Sequence, residues 1–513
     1  MLAKIRSMAV IGIEAFEIGI EADISEMLPS FTIVGLPDGA VRESRERVMS
    51  AIKNCGFEFP ARKVTINMAP ADVKKEGSAY DLPIAVGLLM ASSQVTIDST
   101  ADYIIVGELS LDGSVKSIKG MLSMAICARE LGVKGMIVPT ANAREAAVAE
   151  GVSIFPVDNL TDALEFLQGI KTISAHTTDL HSLFNQARQY TIDFKDVKGQ
   201  EHIKRALLVA AAGGHNIMML GPPGSGKTML ARRLPSILPD LSLDEALETT
   251  KIHSVAGLLE PNQPLLATRP FRSPHHTISD AGLIGGGSYP RPGEVSLSHH
   301  GVLFLDELPE FAKNVLENLR QPLEDGKVTI SRALMSLCYP ARFMLAAALN
   351  PCPCGFYTDP RHECSCSPTQ IQKYMSKISG PLLDRIDIHV EVPALSYDEL
   401  AQKVHGEDSA SMRAKVVQAR QIQIERFTNE KKIFCNAHME AKHIRTFCEL
   451  EKASQDLLKT AIERLGLSAR AYDRILKVSR TIADLDGKEN IQSSHIAEAI
   501  QYRSLDRKLW MGG

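Results

Sequence analysis

Short apolar runs separated by glycine-centred turns fill the first 167 residues. SMAVIGIEAF, FTIVGLPD, ARKVTINMAP, DYIIVGELSLDGSV, GMIVPT and VSIFPV each read as strand. Between them, Val41 to Cys55 and Met121 to Leu131 repeat apolar residues at helical spacing, so residues 1–167 predict a mixed α/β domain. Residues 168–190 are polar and weakly periodic, as expected of a linker. A second α/β domain is expected over 191–395, opening around the apolar strand NIMML at 216–220. Residues 396–513 are rich in Glu, Lys, Ala, Arg and Leu with few strand signals, and predict a helical C-terminal lid.

Composition narrows the class. With 513 residues, 44% hydrophobic and 23% charged, the chain suits about three domains and excludes a disordered tail or a disulfide-stapled miniprotein. The longest apolar run, Leu82 to Ala91, is too short for a bilayer and contains Pro83. Glu14 and Glu17 interrupt what would be a signal core, and nine cysteines, an odd number, fit reduced thiols. No membrane association and a cytoplasmic location are expected. Net charge is −4, but residues 1–170 carry −7 and residues 401–513 carry +5. The basic C-terminal part leaves room for a phosphate-binding face or for an ordinary solvated helical surface.

Gly221-Pro222-Pro223-Gly224-Ser225-Gly226-Lys227-Thr228 fits the phosphate-loop pattern, with an apolar strand before it and MLARRL, a helical start, after it. Its glycines let backbone N–H groups face phosphates, Lys227 supplies charge to the β and γ groups of ATP, and Thr228 offers a hydroxyl to Mg²⁺. Gly301 to Glu307 is an apolar run ending in two carboxylates, as in a buried parallel strand whose end faces a ligand crevice. Asp306 is the candidate Mg²⁺ ligand and Glu307 the general base that polarises the attacking water. Adjacent on a strand, the two would point to opposite faces.

Together GPPGSGKT, LFLDE, AAALNP and GPLLDRIDIHVEVP resemble an AAA+ ATPase of the magnesium-chelatase-like branch. The whole chain is similar to the ComM/YifB family of competence-associated AAA+ proteins. GLPDGAVRESRERV at 35–48, RSPHHTISDAGLIGGG at 272–287, GEVSLSHHG at 293–301 and LSARAYDRILKVSRTIADL at 467–485 extend the likeness over nearly the whole length. The resemblance implies that Asn350 is sensor 1, an amide on the γ-phosphate or the attacking water. It implies that Arg385 is the arginine finger reaching a neighbouring subunit's nucleotide, and that Arg470 is sensor 2 in the lid, with Arg474 as competitor.

From Lys227 to Asp306 the chain runs 79 residues, long for a loop, a helix and a strand, so an insert is expected. Residues 255–300, with three successive glycines and the pairs His275-His276 and His299-His300, read as extended loops resembling the family's helix-2 insert. Residues 327–343 resemble the hairpin before sensor 1. In a ring both would face the channel, where Lys327, Arg332 or Arg272 could touch a phosphate backbone, or both are plain scaffold. The histidine pairs lack a third ligand at useful spacing, which argues against a metal. Cys352, Cys354, Cys364 and Cys366 form two C-x-C pairs nine residues apart, suited to structural Zn²⁺, to redox-labile thiols or to plain loop cysteines.

Residues 77–140 resemble the proteolytic domain of Lon-type proteases, a ribosomal-protein-S5-like α/β fold whose chemistry needs a Ser–Lys dyad. The lysine position falls on Leu122, and the nucleophile position falls in YDLPIA, which has no serine; Ser78 and Lys119 are offset. A pseudo-protease scaffold is expected. The resemblance as a whole implies a ring-forming, hexameric, ATP-driven motor on single-stranded or branched DNA, a helicase or branch-migration factor for incoming DNA in natural transformation. The rival from another class is a chelatase-like ATPase that remodels a protein partner.

Overall fold

The computed structural model describes residues 2–505 except 99, 187–189, 261–262, 288, 333–334, 358, 396–405, 429, 431–432 and 504. Residues 333–334 of the hairpin expected over 327–343, and 396–405 at the start of the expected lid, lie outside the described residues. The chain forms two compact units, Met1–Ala187 with Leu243–Ala267, and Arg188–Ser242 with Thr268–Gly513.

The first unit is built on a seven-stranded sheet. Its order is Ser30–Val34, Lys63–Ala69, Glu14–Ser25, Leu2–Ile11, Tyr103–Ile105, Gly135–Pro139, Ser153–Val157. The segment read as one strand, SMAVIGIEAF, instead turns at Gly12, whose φ of 64° is left-handed, and pairs Leu2 through Ile11 with Asp23 through Glu14. Ile18, Ile20, Ala22 and Ile24 alternate inward along the second strand. Helices at Gly39–Asn54 and Met121–Glu130 match the periodic segments. A third, Asp81–Ala91, is buried at every position but Met90. With no polar face it carries no amphipathic signal, so the spacing rule passes over it.

Two buried carboxylates tie this unit together. Asp81 accepts from Arg47 Nε at 2.6 Å, from Ser44 and from Leu109 N, while burial pushes its pKa up against these partners. Glu145 accepts from Leu122 N at 3.0 Å, from Asn142 and from Ser254, and burial raises its pKa too. Ser254 belongs to the helix Leu243–Ala256, which packs against Met121–Glu130. The chain thus passes into the first unit at Leu243 and returns to the second at Thr268. Where loops were expected over 255–300, the structure has the end of this helix, a strand Phe271–Arg272, helices Asp280–Ile284 and Glu294–Leu297, and a small hairpin pairing Gly285–Gly286 with Arg291–Pro292. Its residues pair with one another and with the sheet, so the glycines and prolines punctuate short elements rather than prevent them.

The second unit centres on a five-stranded, wholly parallel sheet in the order Phe271–Arg272, Val302–Leu305, Met344–Leu349, Ile217–Leu220, Ile388–Glu391. Apart from Phe271 and Arg272 at the edge and Glu391 at a strand end, its strand residues are buried, as a parallel sheet covered on both faces requires. Helices Glu201–Gly213 and Lys227–Ile237 cover it, and Glu201–Gly213 also packs against the helices Ser409–Arg426 and Ala469–Leu485 of the C-terminal bundle. One apolar core runs from Phe194 to Tyr502 through both sheet and bundle. Among the described residues no helix is long and apolar enough to cross a membrane.

The bundle is fastened by a buried charge network. Asp484 accepts from Arg426 at 2.5 and 2.8 Å, from Arg480 at 3.1 Å and from Asn436 at 2.8 Å. Removing the carboxylate strands two guanidinium groups in a dry interior, so Asp484→Ala should cost about 3–5 kcal/mol. Lys415→Ala, which breaks only the exposed pair with Glu407, should cost under about 1 kcal/mol. Thermal and urea unfolding of the two variants measure the contrast.

Candidate nucleotide site

Parallel pairing brings three strand ends to one edge. Leu220 lies opposite Leu349, and Leu305 opposite Ala347. The segments that follow therefore meet: the loop from Gly221, Asp306 with Glu307, and Asn350. Gly221 N donates to Leu349 O at 3.2 Å, and a Cβ on Gly221 would sit 2.1 Å from Val392 O, so only glycine fits there. The loop Gly221 to Gly226 delivers the chain to the N-terminus of the helix Lys227–Ile237, whose leading N–H groups and dipole suit an anion. Lys227 Nζ donates to Gly221 O at 2.7 Å, Pro222 O at 2.9 Å and Asn350 Oδ1 at 3.2 Å. Burial pulls its pKa down to about 8, against the opposing pull of Asp306 and Glu307.

Thr228 Oγ1 donates to Asp306 Oδ2 at 2.6 Å. A hydroxyl and a carboxylate presented together form the hard oxygen set that Mg²⁺ takes beside phosphates. The expected opposition of Asp306 and Glu307 on a strand is corrected here. The strand ends at Leu305, and Glu307 adopts a left-handed φ of 53° in the turn beyond it. That conformation is costly for a residue with a Cβ and swings an exposed Glu307 outward, where its carboxylate lies 3.5 Å from His276 Nδ1. Sequence reasoning passed over His276 as a metal candidate and did not pair it with Glu307. It also missed Gln200, whose Nε2 donates to Ser225 O at 2.8 Å and steadies the phosphate loop. His276 lies in the stretch RSPHHTISDAGLIGGG, yet nothing in its spacing points to Glu307, and Gln200 lies in no such stretch.

Arg385 and Arg470 do not join this cluster. Asn216, at the start of the strand Ile217–Leu220, accepts backbone bonds from Asp387 and Ile388, and its side chain donates to Arg385 O at 2.9 Å. Arg385 is thus anchored at the opposite sheet edge, about 15 Å from Gly221 at roughly 3.3 Å per residue. Arg385 is buried; its guanidinium bonds Pro381 O and Glu324, and its Nε has no partner among the described residues. Arg470, Arg474 and Lys477 line the same cleft. Arg470 is exposed, with Asp384 at 3.8 Å, while Arg474 donates to the buried Asp387 at 2.7 Å. The implied sensor 2 therefore stands with the implied finger and away from Lys227.

The expected DNA contacts divide. Arg272 is held by Glu294 through two bonds of 2.6 and 2.7 Å, so it is not an open cation. Lys327 and Arg332 are exposed on the hairpin that pairs Lys327 with Pro340 and Arg332 with Met335. Arg332 Nε donates to Gly287 O at 3.3 Å, beside the small hairpin that carries exposed Arg291. His299 is buried and its Nδ1 accepts from Arg342 N at 2.9 Å, a scaffold role. The sulfurs of Cys352, Cys354, Cys364 and Cys366 lie within 4.8 Å of one another. In the first unit Leu122 is buried and Ser78 donates to Glu108.

A phosphate loop, an acidic strand end and an amide strand end on one parallel sheet, with a helical bundle behind, define an AAA+ ATPase of the magnesium-chelatase type. The family profile described as "Magnesium chelatase, subunit ChlI" matches residues 193–400, "Subunit ChlI of Mg-chelatase" matches 20–142, and "Magnesium chelatase, subunit ChlI C-terminal" matches 406–503. The chain is 45% identical over 510 residues to competence protein ComM of Haemophilus influenzae, covering 99% of this chain and 98% of that protein. It matches YifB of Escherichia coli at the same identity and coverage. Similarity to the magnesium-chelatase 38 kDa subunit of Rhodobacter capsulatus is 27% over 177 residues, 31% of this chain and 50% of that one. The chain belongs to the ComM/YifB family of magnesium-chelatase-like proteins.

The lowered pKa of Lys227 sets a pH dependence. Below about 8 the ammonium is present to meet phosphate; above it the free protein loses that charge and must take up a proton to bind. The dissociation constant of a non-hydrolysable ATP analogue should rise toward about tenfold per unit above pH 8. Lys227→Arg, which stays charged, should bind more weakly but without that slope. Calorimetry in buffers of different ionisation enthalpy measures both.

Proposed function

We propose that the chain is a ring-forming, hexameric motor that couples ATP hydrolysis to movement on single-stranded or branched DNA. What carries this reading is the separation of Arg385 from its own phosphate loop by the length of a strand, which leaves each chain with most of a hydrolytic site and the complement of another. Lys227 and the loop N–H groups bind the β and γ phosphates, and Asn350 orients the attacking water. Thr228 and Asp306 would hold Mg²⁺, which supplies charge neutralisation of the phosphates when bound. Glu307 takes the proton of the attacking water, and the His276 contact sets where its carboxylate waits. Arg385 and, beside it, Arg470 or Arg474 serve the nucleotide of the neighbouring chain, where a planar guanidinium spreads charge over the transferring oxygens.

DNA is favoured as the track by the exposed Lys327, Arg332 and Arg291 on two hairpins joined by the Arg332–Gly287 bond. The name of the Haemophilus relative supports a place in competence, and branch migration of incoming strands is the corresponding activity. For the first unit we read a Lon-like pseudo-protease scaffold, since a buried Leu122 stands where a dyad lysine would be.

Steady-state ATPase with and without single-stranded DNA tests the reading. DNA should stimulate turnover, and Glu307→Gln should abolish it while retaining ATP. Turnover indifferent to DNA, but raised by a protein fraction, would instead favour chelatase-like remodelling. Arg385→Ala should lower turnover by about a thousandfold. Mixing it with Lys227→Ala should restore part of the activity, because one variant lends its phosphate loop and the other its guanidinium; a mixture as dead as its components would rule out a shared site.

A further inference from the structure

Between Asn350 and the helix Pro368–Met375 the chain makes a long excursion with no helix or strand among its described residues. Past Pro351 only Cys352 and Gly355 are buried among its described residues, and these build no apolar core to hold its shape. What converges instead is sulfur. Cys352 Sγ lies 3.3 Å from Cys354 Sγ and 3.7 Å from Cys364 Sγ, and Cys354 Sγ lies 3.6 Å from Cys364 Sγ; Cys366 completes the cluster. Four thiolates around one ion at about 2.3 Å form a tetrahedron with edges of about 3.8 Å. All four are free thiols, and the separations are far beyond a disulfide's roughly 2.05 Å.

The excursion also touches the nucleotide site. Cys352 follows Asn350 by two residues, and Asn350 Oδ1 accepts from Lys227. Gly355, with φ +88°, comes so close to the phosphate loop that an added Cβ would sit 2.6 Å from Pro223 Cδ. Gly355 N closes a turn onto Cys352 O at 3.0 Å.

We propose that Cys352, Cys354, Cys364 and Cys366 bind one structural Zn²⁺ per chain, and that this knot braces both Asn350 and the Gly221–Gly226 loop. The zinc site stands on the sulfurs alone; the bracing rests on the nucleotide site proposed above. Four sulfur ligands close the coordination sphere and leave no position for water, so the ion fixes shape and does no chemistry.

Full-length protein purified without chelator should contain one zinc and no iron by inductively coupled plasma mass spectrometry. Lys227→Ala should keep that zinc while losing ATP, which separates the two sites. The double variant Cys364→Ser, Cys366→Ser should lose it. Should that variant fail to fold, Co²⁺ exchanged into the wild type reports the ligands directly, through the strong sulfur charge-transfer and visible bands of a tetrahedral tetrathiolate. Mercurial release of zinc should weaken binding of a fluorescent ATP analogue by about tenfold, reversed by thiol and ZnCl₂. Absence of zinc, iron in its place, or a cobalt spectrum without four thiolates would overturn the site. Unchanged nucleotide affinity after zinc release would overturn the brace. Zinc-loaded wild type that binds no ATP would sink the nucleotide reading and leave the metal.

Discussion

A parallel sheet brings every strand's C-terminal end to the same edge, and in this protein that rule decides which residues can act together. The ends at Leu220, Leu305 and Leu349 hold the phosphate loop, the Asp306–Glu307 pair and Asn350 against one another through backbone pairing. No side chain needs to reach far. Arg385 precedes its strand instead of following it, so the same pairing places it at the other edge, anchored by Asn216. The Arg385 guanidinium therefore starts a strand's length from the phosphate loop of its own chain.

The nucleotide loop was legible because its meaning is local: eight consecutive residues between an apolar strand and a helix specify a backbone shape. Asp306 was legible for the same reason. The position of Glu307 was not, because the apolar run gives no sign of where pairing stops. The strand ends two residues earlier than the pattern suggests, and a left-handed turn then aims the carboxylate. Gln200 and His276 reach the site from elsewhere in the chain, and a contact made only by folding leaves no trace in spacing. Arg470 could be placed by resemblance on the lid helix, but which sheet edge that helix overhangs is a property of the assembled bundle.

Burial blurred other parts of the pattern. The helix Asp81–Ala91 is enclosed on all sides, so alternation and helical spacing both vanish, and the one ionic residue in it is paired inside the core. The helix Leu243–Ala256 shows the converse. Its sequence lies between the phosphate loop and Asp306, yet it folds with the first unit, where Ser254 meets the buried Glu145. Sequence order assigns a segment to its neighbours in the chain, whereas packing assigns it to whatever apolar face and buried acceptor it satisfies.

The buried Asp387 joins these observations. Burial works against its charge, yet Arg474 and His215 hold its carboxyl well below the ordinary range, with Arg474 donating at 2.7 Å and His215 Nδ1 at 3.1 Å. Asp387 is two residues from Arg385 on a segment pinned to Asn216, and Arg474 comes from the bundle helix Ala469–Leu485. Thr481 of that helix also meets His215 Nε2 at 2.8 Å. A buried ion pair resists being pulled apart because each partner would be left unpaired in a low dielectric. The bundle helix and the segment bearing Arg385 are therefore bound to move as one body. Any displacement of the bundle helix is then carried through Arg474 and Asp387 to the segment that bears Arg385.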